Sequence, residues 1–162
     1  MKKIITILFL CFSFTIVAQE KSDFWEHVRY GGGFSLSFGN QTTIGISPST
    51  IYDFDNGFSL GAGVNYIYNE VASVTTNVYG ASIISLYQIP KIDIQLSGEF
   101  EQSFANQKDN FGNSNSTNFP ALYFGAAYNK GRFALGFRYD VLYDKNKSVY
   151  ASAFSPIVRF YF

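Results

Sequence analysis

Cysteine is almost absent from this chain: Cys11 is the only one, and it sits in an apolar stretch near the N-terminus. If that stretch is a removable leader, no thiol remains, which excludes disulfides and thiol catalysis even though export leads to a compartment that permits disulfides. Histidine is nearly as scarce. With His27 alone, a metal site built from several imidazoles is excluded. Charge of one sign is missing too: 12 basic residues offset 12 acidic ones, and no segment beyond the leader is strongly basic, so the electrostatic footprint of a nucleic-acid binder is lacking. Nor does any run beyond the leader approach the roughly 18 consecutive apolar residues of a helical membrane span. A chain of this kind that enters a membrane must do so as a closed barrel, because only a closed ladder satisfies every strand's backbone groups in lipid.

The leader carries Lys2-Lys3, an apolar stretch over 4–17, and a cleavage region around Ala18-Gln19-Glu20. This pattern predicts a signal peptide over 1–19 and one domain over 20–162. Leu10 stands before Cys11 where a lipoprotein signal wants a small residue, which argues against lipid attachment there.

Aromatics are what the chain has in abundance, 19% of its residues beside 14 glycines and four prolines, a balance that favours strands joined by tight bends. The clearest strand covers 132–143. Phe133, Leu135, Phe137, Tyr139, Val141 and Tyr143 fall on one face, with Ala134, Gly136, Arg138 and Asp140 on the other. Similar runs appear over 29–39, 43–53, 58–69, 78–89, 92–104, 119–129 and 149–162, although Ile83-Ile84 interrupts the alternation in the fourth. Asp55-Asn56-Gly57, the segment around Pro90-Lys91, and Asn129-Lys130-Gly131 are tight turn signals and are placed in the periplasm. The segments 70–77, 107–118 and 144–148 are longer and more polar, as outward loops of such barrels are, while 40–42 is a short outward turn.

The chain ends on Phe162, with Phe160, Val158, Pro156 and Phe154 at alternate positions before it. Phe154, Val158, Phe160 and Phe162 make the final strand an expected signal for barrel-assembly machinery. The expected fold is all-β: an eight-stranded antiparallel up-and-down transmembrane β-barrel in the outer membrane, surrounded by lipid, with both termini on the periplasmic side. A soluble eight-stranded barrel such as a lipocalin is the competitor, but it must cover its exterior with charge. The polar faces here are small instead: Gly31, Gly33, Ser35, Ser37 and Gly39 on the first strand, Ser59, Gly61, Gly63 and Asn65 on the third. The apolar faces place Tyr66, Tyr68, Tyr79, Tyr139 and Tyr143 toward one end and Tyr52, Phe58, Tyr87, Tyr128, Phe133 and Phe160 toward the other, resembling two aromatic girdles.

Alternation that puts Arg138 and Asp140 inward also puts Arg159 and Arg29 there, and the fifth strand adds Asp93, Gln95, Glu99 and Glu101. The expected lumenal charge network is thus Arg29, Asp93, Glu99, Glu101, Arg138, Asp140 and Arg159, opposite charges gathered where an unpaired one is costly. An eight-stranded barrel has an interior that side chains fill, so packing is preferred over an ion route lined by the same groups.

Catalytic sets are lacking. A serine hydrolase would need His27 beside a nucleophilic serine and an acid, and only abundant serine speaks for that. Gly31-Gly32-Gly33 opens a strand with no helix after it, so it does not make a phosphate cradle. The polar stretch 107–118 does not have the spacing of an EF-hand. No cofactor is called for, and the candidate binding regions are the loops 70–77, 107–118 and 144–148, where an extracellular ligand could be met.

The segments Lys21-Ser22-Asp23-Phe24-Trp25, His27-Val28-Arg29-Tyr30-Gly31-Gly32-Gly33, Arg138-Tyr139-Asp140-Val141-Leu142-Tyr143-Asp144 and Tyr150-Ala151-Ser152-Ala153-Phe154 resemble those of a family of small exported outer-membrane β-barrel proteins of Gram-negative bacteria. Members often carry the label alpha-ketoglutarate decarboxylase, which implies a large thiamine-diphosphate enzyme with a Gly-Asp-Gly motif and a distant Asn-Asn. Neither motif occurs in these 162 residues. The expectation is a non-enzymatic envelope protein of OmpA/OmpX-like architecture with a structural or surface-loop interaction role. A porin-like barrel that passes a small solute or ion is the alternative, and the enzyme implied by the label comes third.

Overall fold

A computed structural model describes residues 23–37, 41–71, 74–109, 113–145, 148 and 152–162. The leader 1–19, with Cys11, lies outside the described residues. One helical turn, α1 (Asp23–Glu26), precedes eight strands: β1 (Val28–Ser37), β2 (Gln41–Asp53), β3 (Phe58–Val71), β4 (Val74–Gln88), β5 (Ile94–Asp109), β6 (Ser114–Lys130), β7 (Phe133–Asp140) and β8 (Phe154–Tyr161). Each strand runs antiparallel to its sequence neighbour, and β1 also pairs with β8, so the sheet closes into an up-and-down barrel. All eight strands expected from the alternation are present.

Their lengths differ from expectation on the side of the longer connections. β3 and β4 stay paired through Glu70 with Thr75 and Val71 with Val74, so most of the expected loop 70–77 is strand. β5 and β6 likewise stay paired through Gln107 with Asn115 and Lys108 with Ser114, which shortens the expected loop 107–118. A ladder with water on both faces needs no apolar alternation, so its polar sequence reads as loop while β-branched residues such as Val71, Val74, Thr75 and Thr76 hold it extended. Ile83-Ile84 is no interruption: Ile83 faces out and Ile84 faces in. β7 ends at Asp140 rather than 143, because the Asp140 carboxylate accepts the N–H groups of Leu122 and Leu142, at 3.0 and 2.9 Å, and turns the chain out of the ladder.

The outward side chains form an apolar belt. Phe34, Ile46, Leu60, Val64, Ile83, Phe100, Phe124, Leu135, Phe137 and Phe154 are all exposed. The charged residues in the outward rows of the described strands, Glu70, Lys108 and Lys130, stand at strand ends. A soluble monomer rarely exposes so large a continuous apolar surface.

Prolines mark where the ladder opens. Asp53 donates its N–H toward β1, to the His27 carbonyl at 2.9 Å, so alternation turns the nitrogen of Pro48 toward β3. There the β2–β3 pairing skips from Ile46 with Tyr66 to Ser49 with Gly63. Pro156 is the parallel case on β8. Phe162 donates to the Tyr30 carbonyl of β1 while Tyr161 donates to Arg132 on the β7 side, so the nitrogen of Pro156, an even number of residues from Phe162, faces β1 and has no hydrogen to give. The β1–β8 seam is correspondingly short: Gly31 with Tyr161, Gly32 with Phe160, and Gly33 with Arg159. Glycine is required in it, since a Cβ on Gly31 would collide with the Phe160 carbonyl and Gly32 holds a φ of 141° that side chains disfavour.

Phe162 extends this seam through two backbone bonds, its N–H to the Tyr30 carbonyl at 2.9 Å and the Tyr30 N–H to its own carbonyl at 3.3 Å. Its ring also packs edge-on against Phe160. Deleting Phe162 should therefore lower the yield of heat-modifiable, closed barrel more than Phe162→Ala, which keeps both bonds. Electrophoretic mobility before and after heating checks this. Equal losses in the two variants would assign assembly to the ring rather than to closure.

Candidate functional site

The interior is layered. At the end that carries the short turns, Arg29 reaches the Asp53 carboxylate at 2.6 Å beside an open vestibule that also touches Gln88, Gln95, Asn129 and Arg132. Above the vestibule lies an apolar layer of Ile51, Ile84, Leu86 and Tyr161, all buried. A second buried apolar cluster, Ile67, Val78, Ala105 and Phe119, lines the β3–β6 side nearer the other end. Between the two sits the charged group.

Glu99 is its centre and is buried. One carboxylate oxygen accepts from Arg138 Nη1 at 2.9 Å, and the other accepts from Arg159 Nη2. Arg159 also reaches Ser97 Oγ at 3.4 Å. The Arg138 guanidinium lies 3.9 Å from the centroid of the Tyr123 ring, a cation–π contact that holds it against the wall. Glu101, also buried, accepts from Ser103 Oγ at 2.6 Å. Alternation explains the gathering: Glu99 and Glu101 on β5, Arg138 on β7 and Arg159 on β8 all fall on the inward row.

Three of the seven residues expected in this network stand elsewhere. Asp93 lies in the exposed turn before β5, where it accepts from the Tyr128 hydroxyl at 3.2 Å, because the strand begins at Ile94 and not at 92. Arg29 pairs with Asp53 at the barrel mouth, separated from Glu99 by the lower apolar layer. Asp140 is buried, but its carboxylate bonds backbone N–H groups instead of an arginine. Glu99, Glu101, Arg138 and Arg159 share the central layer. Of the four expected assembly residues, Phe154, Phe160 and Phe162 face outward and exposed, and Val158 stands in the same row, half-buried beside the seam.

Residues that alternation alone did not single out complete the layer. Asn65 Oδ1 and Arg159 Nη1 are both buried with no hydrogen-bond partner among the described residues, and both residues line the same cavity of about 100 Å³. Asn65 was visible only as one small polar residue among several. No group of three His, Cys, Asp or Glu side chains suited to a metal ion occurs among the described residues.

His27 forms a second, peripheral arrangement. Its Nδ1 faces the Asp23 carbonyl at 2.7 Å and its Nε2 faces Asp55 Oδ2 at 2.5 Å. Only the imidazolium can donate to both oxygens at once. The bond to the Asp23 carbonyl, and next the one to Asp55, raise this imidazole above its ordinary 6.5. The pair clasps α1 to the β2–β3 turn.

Comparison of the chain with protein-family models, with curated proteins and with solved structures gave no match.

The central layer and the clasp respond to different tests. Arg159→Met should destabilise the barrel by about 3–5 kcal/mol, the range for stranding one member of a buried ion pair. Arg138→Met should cost less, since Glu99 keeps Arg159 and the Arg138 side chain is the more exposed of the two, 24% against 8%. Adding Glu99→Met to Arg159→Met should recover part of the loss; urea unfolding in lipid vesicles of the native chain, the two arginine variants, Glu99→Met and the double variant measures this, and strict additivity of Glu99→Met and Arg159→Met would mean the pair is not coupled.

For His27, a pKa above the unfolded value means that its stabilising contribution is complete below about 6.5 and disappears as pH rises through the folded pKa. Trp25 fluorescence or imidazole NMR should therefore show a transition above 6.5 that moves down in Asp55→Asn. A midpoint unchanged by that substitution would remove Asp55 from the account.

Proposed function

We propose that this chain is an exported, non-enzymatic outer-membrane β-barrel whose lumen is sealed along its axis and whose role is structural or carried by its outward hairpins. The observation that carries the reading is the pairing of an uncharged outer belt with an interior that holds two buried apolar clusters on either side of a paired charge group. The belt suits hydrocarbon, and its charges stand at the strand ends where lipid would give way to water. An interior filled in this way suits a scaffold, since an ion would have to pass the buried side chains of Ile51, Ile84, Leu86 and Tyr161 and the Glu99 ion pairs. The leader over 1–19 is the proposed export signal, and the aromatic final strand the proposed address for the assembly machinery.

Activity is assigned no catalytic residue. His27 bonds Asp23 and Asp55 at the periphery, with no serine in that arrangement. The decarboxylase label attached to similar proteins has no thiamine-diphosphate motif to rest on. Outward contacts would fall to the ends of the β3–β4 and β5–β6 hairpins and to the connection over 144–148.

Planar-bilayer recording of the refolded, heat-modifiable protein tests the sealed lumen. We expect no unitary current steps. Reproducible steps of fixed amplitude would overturn the scaffold reading in favour of a small-ion barrel. Ile84→Gly together with Phe119→Gly, which thins both layers, should introduce conductance where the native chain has none.

A further inference from the structure

The outward aromatic rings do not stop where the strands end. Tyr52, on the outward row of β2, stacks on Phe24 of α1 with ring centroids 5.0 Å apart and planes 26° from parallel. Trp25 meets the Phe24 ring edge-on at 5.2 Å. Tyr52 also meets Phe54 at 4.8 Å, and Phe54 meets Phe58 at 5.6 Å. The rings from Trp25 to Phe58 therefore form one continuous track at the end that carries the short turns. The track joins the apolar belt directly, because Tyr52 pairs across the ladder with Val28 on one side and with the exposed Leu60 on the other. Phe24 and Trp25 are its outermost members, 50% and 55% exposed.

α1 cannot hold itself in place. A single turn of four residues bears the entropy cost of helix nucleation without the bonds that propagation returns, and one backbone bond closes it, from the His27 N–H to the Phe24 carbonyl at 3.2 Å. His27 supplies what the turn lacks. Its imidazole reaches the Asp23 carbonyl of α1 and the Asp55 carboxylate of the β2–β3 turn, and the ring stacks on Tyr52 of β2 with centroids 5.7 Å apart. Three elements are thus tied through one side chain. The charged groups acting on it are Asp55 and Asp23, both favouring the imidazolium, while Arg29 of β1 is engaged by Asp53. A neutral imidazole has one N–H for two oxygen acceptors and must give up one of them.

We propose that α1 is an interfacial latch, which lays Phe24 and Trp25 into the head-group layer of the phospholipid leaflet at the short-turn end and is held there by the His27–Asp55 pair. The proposal rests on the membrane reading given above. Lipid is the partner because the rings continue the belt that hydrocarbon would cover, and aromatic side chains gather where one side of the ring is apolar and the other wet. Charge does not draw α1 to the leaflet, since it carries Asp23 and Glu26 and no basic residue. The rings do. Loss of the imidazole proton unties the turn, so the latch releases as pH rises.

Trp25 is the only tryptophan of the chain, so its fluorescence reports on α1 alone. The full mature barrel is inserted into phosphatidylcholine vesicles, with insertion checked by heat-modifiable mobility. Trp25 is then quenched from the lipid, by acyl chains brominated near the ester end or near the methyl end, and from the water, by acrylamide. At about pH 5.5, below the ordinary imidazole pKa, ester-end bromines should quench about twofold more than methyl-end ones, and acrylamide should quench weakly. At about pH 9.5 acrylamide quenching should rise about threefold and lipid quenching should fall. In Asp55→Asn this change should come at lower pH, and Tyr52→Thr, which removes the stack on a residue suited to a strand, should give the released signal at both pH values. On an inserted barrel, absence of lipid quenching, or quenching as strong from the methyl end as from the ester end, would overturn the docking. A pattern unchanged by pH, by Asp55→Asn or by Tyr52→Thr would overturn the latch. Failure of the native chain to insert at all would instead overturn the membrane reading on which it rests.

Discussion

Closure of the hydrogen-bonded ladder between β1 and β8 is the constraint on which the rest of this structure depends. Seven of the eight strand pairings join sequence neighbours and form with little chain to close. The eighth joins the two ends of the domain and carries the largest loop-closure entropy. It is also short, three residue pairs extended by the bonds of Phe162 to Tyr30. Only when it forms does the inward row become an interior. Before that, Arg159 on β8 and Glu99 on β5 have no reason to meet, and the charges of the central layer remain solvated.

Once the ladder closes, burial of charge and burial of apolar surface are settled together. Glu99 can sit inside only because two guanidiniums reach it, and those guanidiniums can sit inside because Glu99 and the Tyr123 ring receive them. Apolar clusters flank the pair on either side and raise the cost of breaking it. Small residues make room: the glycines and serines of β1 to β3 face the large inward groups of β5, β7 and β8 across the lumen. Where the filling is imperfect, Arg159 Nη1 and Asn65 Oδ1 are buried without a hydrogen-bond partner among the described residues.

Much of this was legible from residue order. The alternation of Phe133, Leu135, Phe137 and Tyr139 with Ala134, Gly136, Arg138 and Asp140 assigns faces without ambiguity, and the same period places Glu99, Glu101 and Arg159 inward. The tight turns were legible too, from Asp55 and Gly57, which both take positive φ, and from Lys91 and Gly131. Strand ends were less so. The extensions of β3 to β6 beyond the apolar belt carry polar side chains on both faces, so no periodic contrast marks them. The run from Ile92 puts Asp93 in the lumen, whereas β5 begins at Ile94, a difference in length and not in register.

Sequence by itself determined the strand number and the two faces of each strand, because a period of two is a local property of the extended backbone. Tertiary structure alone decided which of those charges meet. Glu99 chooses Arg138 and Arg159 over Arg29, and Asp140 chooses backbone donors over an arginine, because the stagger of eight strands sets the height of each residue along the barrel. The position of the seam is of the same kind. Pro156 removes a donor wherever it stands, but that its nitrogen faces β1, across the one pairing that joins the chain's ends, follows only from the closed ladder.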